Sequence, residues 1–491
     1  MIFRRALLCL AVVALTLAAF DGADAQKVFS RAAAPAAAGR PSGGGGIDRG
    51  GGDGGFRGGG WGAAIPGVLM AIPQAVPPQN GPYIDDTPRG PGQPRNSARR
   101  GPSGAPPANE RRMVPDEVVV ELPNTFSRQA LDALQRRSRL TLLERQTSQL
   151  AGTTLYRWRI TDRRSVPTMI RQLETDSVVV SAQPNYLFAL QQTETKTEGD
   201  PAQYELAKLH LPQAHALAKG DNVLVAVIDS GVDASHPDLA GAVAQSFNAI
   251  ESAAAPHKHG TSIAGLIAAH GRLMGAAPGA RLLAIRAFDP AGATAEGSTF
   301  NILKSLDLAA ANGARVVNMS FAGPADPAIH RSLEAARRKN IVLVAAAGNA
   351  GAKSPPLYPA ADPNVIAVSA TDADDKLFEA SNRGNYIAVA APGAQILVAI
   401  PNGGYEISSG TSYSAAEVTG IVALMLERKP DLTPAQVRGI LQASARDLGP
   451  KGPDAMFGAG LADAYGALNA PGSPAQAAAP RPVERVSSGA R

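Results

Sequence analysis

The chain has 491 residues, 45% of them hydrophobic and 18% charged, with a formal net charge of +5 and one cysteine. That length exceeds one ordinary domain, so at least two folded units joined by linkers are expected. Cys9 lies in the amino-terminal apolar run, which excludes a disulfide framework, a thiolate nucleophile and a Cys-based metal site from the rest of the chain. The basic excess is local: residues 26–112 carry a net +6, whereas residues 200–470 carry 20 Lys/Arg against 24 Asp/Glu. The larger unit is therefore mildly acidic, and no nucleic-acid partner is expected.

Residues 1–25 have the form of a secretory signal, with Arg4 and Arg5 ahead of the apolar run Ala6–Phe20 and Ala23-Asp24-Ala25 before a cut. About 15 apolar residues are short for a bilayer span. No later stretch is long and apolar enough for one, so an exported product is expected, secreted (extracellular) or periplasmic, with no membrane span after signal removal. Residues 26–112 collapse to Gly, Pro, Ala and Arg, as in Gly43–Gly46. They are expected to form a disordered linker, because such a composition cannot bury enough apolar surface to offset its ordering entropy. A rival use of this arm is binding an anionic polymer or the cell envelope through its arginines. The tail, residues 471–491, is expected to be disordered as well.

Order resumes near Met113. Strand patterns at Glu117–Leu122, Leu140–Arg145 and Thr153–Ile160 alternate with helical ones at Ser127–Ser138 and Val166–Leu173, and Val178–Val180 opens a last strand. The order β-α-β-β-α-β predicts a ferredoxin-like unit of about 80 residues, 113–190. It has no His, no Cys and no clustered carboxylates, so nothing in it looks catalytic.

Beyond a polar link, residues 200–470 alternate apolar strands with helices, as in a parallel sheet covered on both faces. The expected strands are Val223–Ile228, Arg281–Ala287, Ala314–Met319, Ile341–Ala346 and Val365–Ala370. The expected helices are Thr261–His270, Thr299–Ala311, Pro327–Lys339 and Ser412–Arg428. Sites in such sheets lie beyond the carboxyl ends of the strands, where Asp229 and Asn349 fall. Asp233 and Asp238 are rival carboxylates, expected to be solvated in the turn-rich loop after Asp229. His259 opens a small-residue helix. His257 and His259 could be taken as a metal pair, but neither an HExxH pattern nor a cysteine supports one. Ser412 falls in or just before a first helical turn, where free N–H groups and the helix dipole favour an oxyanion, although a plain helix cap is the alternative. A serine nucleophile needs an imidazole base, a carboxylate to orient it and N–H donors for the oxyanion. Asp229, His259 and Ser412 fit the first three roles, with Asn349 and the Ser412 backbone N–H as the oxyanion hole.

Val-Ile-Asp229-Ser-Gly-Val, His259-Gly-Thr, Ala-Gly-Asn349 and Gly-Thr-Ser412, in that order, resemble the subtilisin-like (subtilase) serine peptidases, and the resemblance covers about residues 200–470. It implies an α/β fold with a three-layer parallel sheet and helices on both faces, and a serine endopeptidase acting on protein or peptide substrates. It also implies that 113–190 is a propeptide that assists folding, inhibits in cis and is cut off autocatalytically within Leu190–Asp200. Ser320, Phe321, Ala322, Gly323, Ala346, Ala347 and Gly348 would line the substrate pocket. No cofactor is needed for the chemistry; structural calcium occurs in relatives, but no ligand set can be assembled here. The chain departs from the family's Gly-Thr-Ser-Met-Ala-Ala-Pro-His at Tyr413, Ser414, Ala416 and Glu417, which leaves the triad intact and the cleft shape open. A catalytically dead relative, using the same groove for binding, is the remaining alternative.

Overall fold

The computed structural model describes residues 103–191, 203–250, 255, 257–291 and 294–470. The signal, the linker as far as residue 102, the link over residues 192–202 and the tail from 471 lie outside the described residues. The smaller unit runs β1 (Met113–Pro123), α1 (Arg128–Ser138), β2 (Leu140–Ser148), β3 (Thr153–Ile160), α2 (Val166–Leu173) and β4 (Ser181–Leu190). The larger begins with α3 (Tyr204–Lys208), α4 (Leu211–His215), β5 (Leu224–Asp229), β6 (Val243–Asn248), α5 (Lys258–Ala268), β7 (Arg281–Arg286), β8 (Asp289–Ala291) and β9 (Thr294–Ser298). It continues with α6 (Thr299–Ala311), β10 (Val316–Met319), β11 (Phe321–Ala322), α7 (Pro327–Arg338), β12 (Val342–Ala346), β13 (Ile366–Thr371) and β14 (Ile387–Pro392). The hairpin β15 (Ile396–Ile400) and β16 (Gly404–Ser408) precedes α8 (Thr411–Arg428), α9 (Pro434–Ser444) and α10 (Ala464–Asn469).

In the smaller unit the antiparallel order is β2-β3-β1-β4. Val118, Val120, Leu122, Trp158, Met169 and Ile170 close its core. Helices α1 and α2 start where Ser127 and Ser165 accept the N–H of Ala130 and Thr168, satisfying amides that have no intrahelical partner. Two boundaries differ from the sequence expectation. The span 103–112, given above to the linker, packs on this unit: Glu174 accepts the Gly104 N–H at 2.7 Å, and the Arg112 carbonyl accepts the Leu187 N–H at 2.9 Å. Those bonds compensate an ordering cost that composition alone cannot offset. The last strand begins at Ser181, because Val178 and Val179 are tied into a turn on Asp176 and Val180 is exposed.

The larger unit is built on a seven-stranded parallel sheet, β14-β13-β12-β10-β5-β7-β6, with helices on both faces. Its central strands are continuous apolar runs because both faces are covered. Helix α8 is buried on all sides from Thr411 to Leu426, not only along Val418, Ile421, Val422 and Met425, as befits a helix inside a core. Strand β4 continues past the small unit's own sheet to pair antiparallel with β9 and β11 of the larger one. One sheet therefore runs through both units, and β4 is delivered to the carboxyl end of β10.

Candidate active site

Asp229 closes β5 and is fully buried, so its charge needs compensating partners. Its Oδ1 accepts the Ser230 N–H at 2.7 Å and the Ser230 hydroxyl at 3.0 Å, and His259 Nδ1 lies 2.9 Å from both carboxylate oxygens. That contact fixes the imidazole with Nδ1 towards the acid and Nε2 away from it. His259 sits in the first turn of α5, after the His257 cap whose Nδ1 accepts the His259 N–H at 3.3 Å. Gly260 follows because a Cβ there would lie 2.0 Å from the Gly231 carbonyl oxygen, so α5 could not otherwise reach the end of β5. His259 Nε2 is buried and has no partner among the described residues.

Ser412 is in the first turn of α8. The helix is capped by Gly410 without a side-chain bond, so Ser412 does not spend its hydroxyl on capping. Its Oγ instead contacts the Gln191 carbonyl oxygen and lies 3.1 Å from that of Ser320. Asn349 follows β12, and its Oδ1 accepts both the N–H and the hydroxyl of Thr411, at 3.0 and 2.9 Å. This leaves Asn349 Nδ2 buried and without a partner among the described residues. Two groups, an imidazole nitrogen and an amide donor, are thus left unused among the described residues, while Ser412 already touches a peptide carbonyl.

Of the residues expected in the substrate pocket, Ser320, Phe321 and Ala322 lie alongside the end of β4. Phe321 pairs with Leu190 and Ala322 with Ala189, while the Ser320 carbonyl accepts the Gln191 N–H at 3.3 Å. Gly323 lies under the Phe188 ring. Ala346, Ala347 and Gly348 are buried where β12 ends, and the Gly348 N–H donates to Thr411 Oγ1 at 3.1 Å.

Asp238 corrects an expectation. It is buried and not solvated, its carboxylate accepting the N–H groups of Arg272 and Leu273 at 2.7 and 3.0 Å. Asp233 stays partly exposed, its carboxylate accepting from Ser235 and Asn402, and it is Asp229 that holds His259. Sequence reasoning missed Gln191, Ser230 and Thr411 as site residues. Ser230 and Thr411 directly adjoin Asp229 and Ser412, which was the available signal; Gln191 carried none. Tyr413, noted as a departure, is fully buried, with its ring 6.1 Å from that of His259 and its hydroxyl donating to Ser408 at 2.8 Å.

The chain is similar to known proteins in sequence and fold. The model of the subtilase family matches residues 220–460. Subtilisin E of Bacillus subtilis (strain 168) is 37% identical over 258 residues, 50% of this chain and 66% of subtilisin E. Thermitase of Thermoactinomyces vulgaris is 33% identical over 286 residues, 56% of this chain and 98% of thermitase. Among solved structures, fervidolysin from Fervidobacterium pennivorans, a keratinolytic enzyme related to subtilisin, superimposes with a TM-score of 0.63 at 26% identity. That match covers 73% of this chain and 62% of fervidolysin. The chain therefore spans just under two thirds of subtilisin E and of fervidolysin and nearly all of thermitase. On the fold, the motif order and these likenesses together, the chain belongs to the subtilase family of serine peptidases.

Proposed function

We propose that the protein is a serine endopeptidase, exported as a zymogen, whose 113–190 unit is a propeptide that the enzyme removes itself. The observation that carries this reading is the meeting of three things at one point: the buried Asp229–His259 pair, the unpartnered Asn349 amide, and Ser412 touching a carbonyl of the strand laid in the cleft. In the proposed chemistry His259 Nε2 takes the Ser412 proton as Oγ attacks the scissile carbonyl carbon. Asp229 holds the imidazole and stabilises its cation. The Asn349 Nδ2 and Ser412 N–H groups receive the oxyanion. His259 then returns the proton to the leaving amine, and water resolves the acyl-enzyme. Each step is supplied by side chains and backbone, so no cofactor enters the scheme.

Export rests on the 1–25 pattern; among the described residues no helix is long and apolar enough to cross a membrane. The zymogen reading is supported by polar docking of the small unit on the large one. Asp307 accepts the Ser148 hydroxyl and the Leu150 N–H, Asp326 accepts the Gln183 amide at 2.7 Å, and Lys304 pairs with Glu144 at 2.9 Å. Ser412→Ala in the full chain, purified free of host proteases, tests the scheme. It should stay uncut and hydrolyse no peptide, whereas the unsubstituted chain does both. Processing that persists in this variant would refute self-cleavage.

A further inference from the structure

The way β4 ends in the cleft points to one peptide bond. Phe188, Ala189 and Leu190 are held in register by the pairs Phe188–Gly297, Ala189–Ala322 and Leu190–Phe321. Phe188 fixes that register. Its ring is buried, packs edge-on to Phe321 at 6.1 Å, and covers Gly323 so closely that a Cβ there would sit 2.2 Å from the ring. With the strand locked, the next residue has its N–H on the Ser320 carbonyl and its own carbonyl oxygen against Ser412 Oγ. That residue is Gln191. Its side chain is also held, because Oε1 accepts the Asn349 N–H at 3.0 Å and Nε2 donates to the Ala189 carbonyl at 3.0 Å.

Resting on the endopeptidase reading above, we infer that the first self-cleavage falls after Gln191, and that the cleft selects a side-chain amide there through the backbone N–H of Asn349. The step is an acyl transfer. The Ser412 Oγ–Gln191 carbonyl carbon bond forms, the bond from that carbon to the next nitrogen breaks, and the Oγ proton passes by way of His259 to the departing amine. Water then releases a segment ending in the Gln191 carboxylate. Apolar walls alone would not prefer Gln to Met, which has similar length and only a weak sulfur acceptor. Selection comes from the Asn349 N–H, a donor that is half-buried and would lose its partner with Met.

Two measurements test this on the full chain. The first is the intact mass of the segment released at the earliest time points of processing, which should end at Gln191; an earlier cut at any other residue overturns the assignment. The second compares Gln191→Met with the unsubstituted chain, and the processed enzyme on matched peptides ending Phe-Ala-Leu-Gln or Phe-Ala-Leu-Met before a fluorogenic amine. Self-cleavage and kcat/KM should both be roughly three- to tenfold lower with Met, the span of one neutral hydrogen bond. Equal or faster turnover of the Met peptide refutes amide selection, and because the peptides are supplied to folded enzyme, misfolding of the variant cannot produce that result. If the unsubstituted chain neither processes nor turns over either peptide, the endopeptidase reading itself fails. If it is active but cuts elsewhere, only the inference about Gln191 fails.

Discussion

Asn349 shows how neighbours turn a neutral side chain into a directed donor. An amide can present either its oxygen or its nitrogen, and Thr411 removes the choice by giving two hydrogens to Oδ1. Nδ2 is then left buried and without a partner among the described residues, a cost that the proposed oxyanion would offset. Asn349→Ala should therefore lower kcat by about 10²–10³ with a much smaller change in KM, the size known for an oxyanion donor in subtilisin. Steady-state kinetics on a short peptide check it, and an unchanged kcat would remove Asn349 from the oxyanion hole. Ser230 does for Asp229 what Thr411 does for Asn349. Its N–H and hydroxyl share the charge that the imidazole must also hold.

At the scale of elements, α8 carries both the proposed nucleophile and an unusual burden. Glu417, one turn beyond Ser412, is fully buried, and its Oε2 has no partner among the described residues. Burial, and then the charge of Glu205 on α3, hold its carboxyl well above the usual carboxylate range. Burial likewise pushes Glu205 up to about 7. Tyr204 beside it donates to the Ala394 carbonyl at 2.7 Å and supplies no positive charge. Among the described residues no cation bonds either acid. The sign follows from linkage: a carboxyl whose folded value is raised favours the fold fully below its unfolded value, near 4.5, and loses that advantage as pH rises through the folded value. Glu417→Gln, which keeps the shape and removes the charge, should raise Tm by several degrees at pH 8 and by much less at pH 5. Thermal unfolding in a Ser412→Ala background, where autolysis cannot interfere, measures the difference. A gain independent of pH would mean that packing, not ionisation, is responsible.

Across the whole molecule, the parallel sheet was legible because buried strands read as apolar runs: the expected Thr299–Ala311 helix matches α6, and the expected Ser412–Arg428 helix starts one residue earlier as α8. Asp229, His259 and Ser412 could each be singled out because each stands in its own local motif, and the structure pairs the first two. What could not be read depends on the partner surface. β9 and β11 are short and gain their identity by pairing with β4, Asp238 is buried by a loop that arrives from residues 272 and 273, and Gln191 matters only because two units dock. Periodicity within one segment carries none of that. The same docking holds the strand that meets Ser412, since that strand belongs to a unit anchored elsewhere by Asp307, Asp326 and Lys304. The central claim, that Ser412 is an activated nucleophile at the meeting point of these elements, is tested most directly by treating the processed protein with a fluorophosphonate and mapping the adduct by peptide mass. A single adduct on Ser412, abolished by His259→Ala, is the predicted result; a protein that processes itself yet is labelled elsewhere, or not at all, would contradict it.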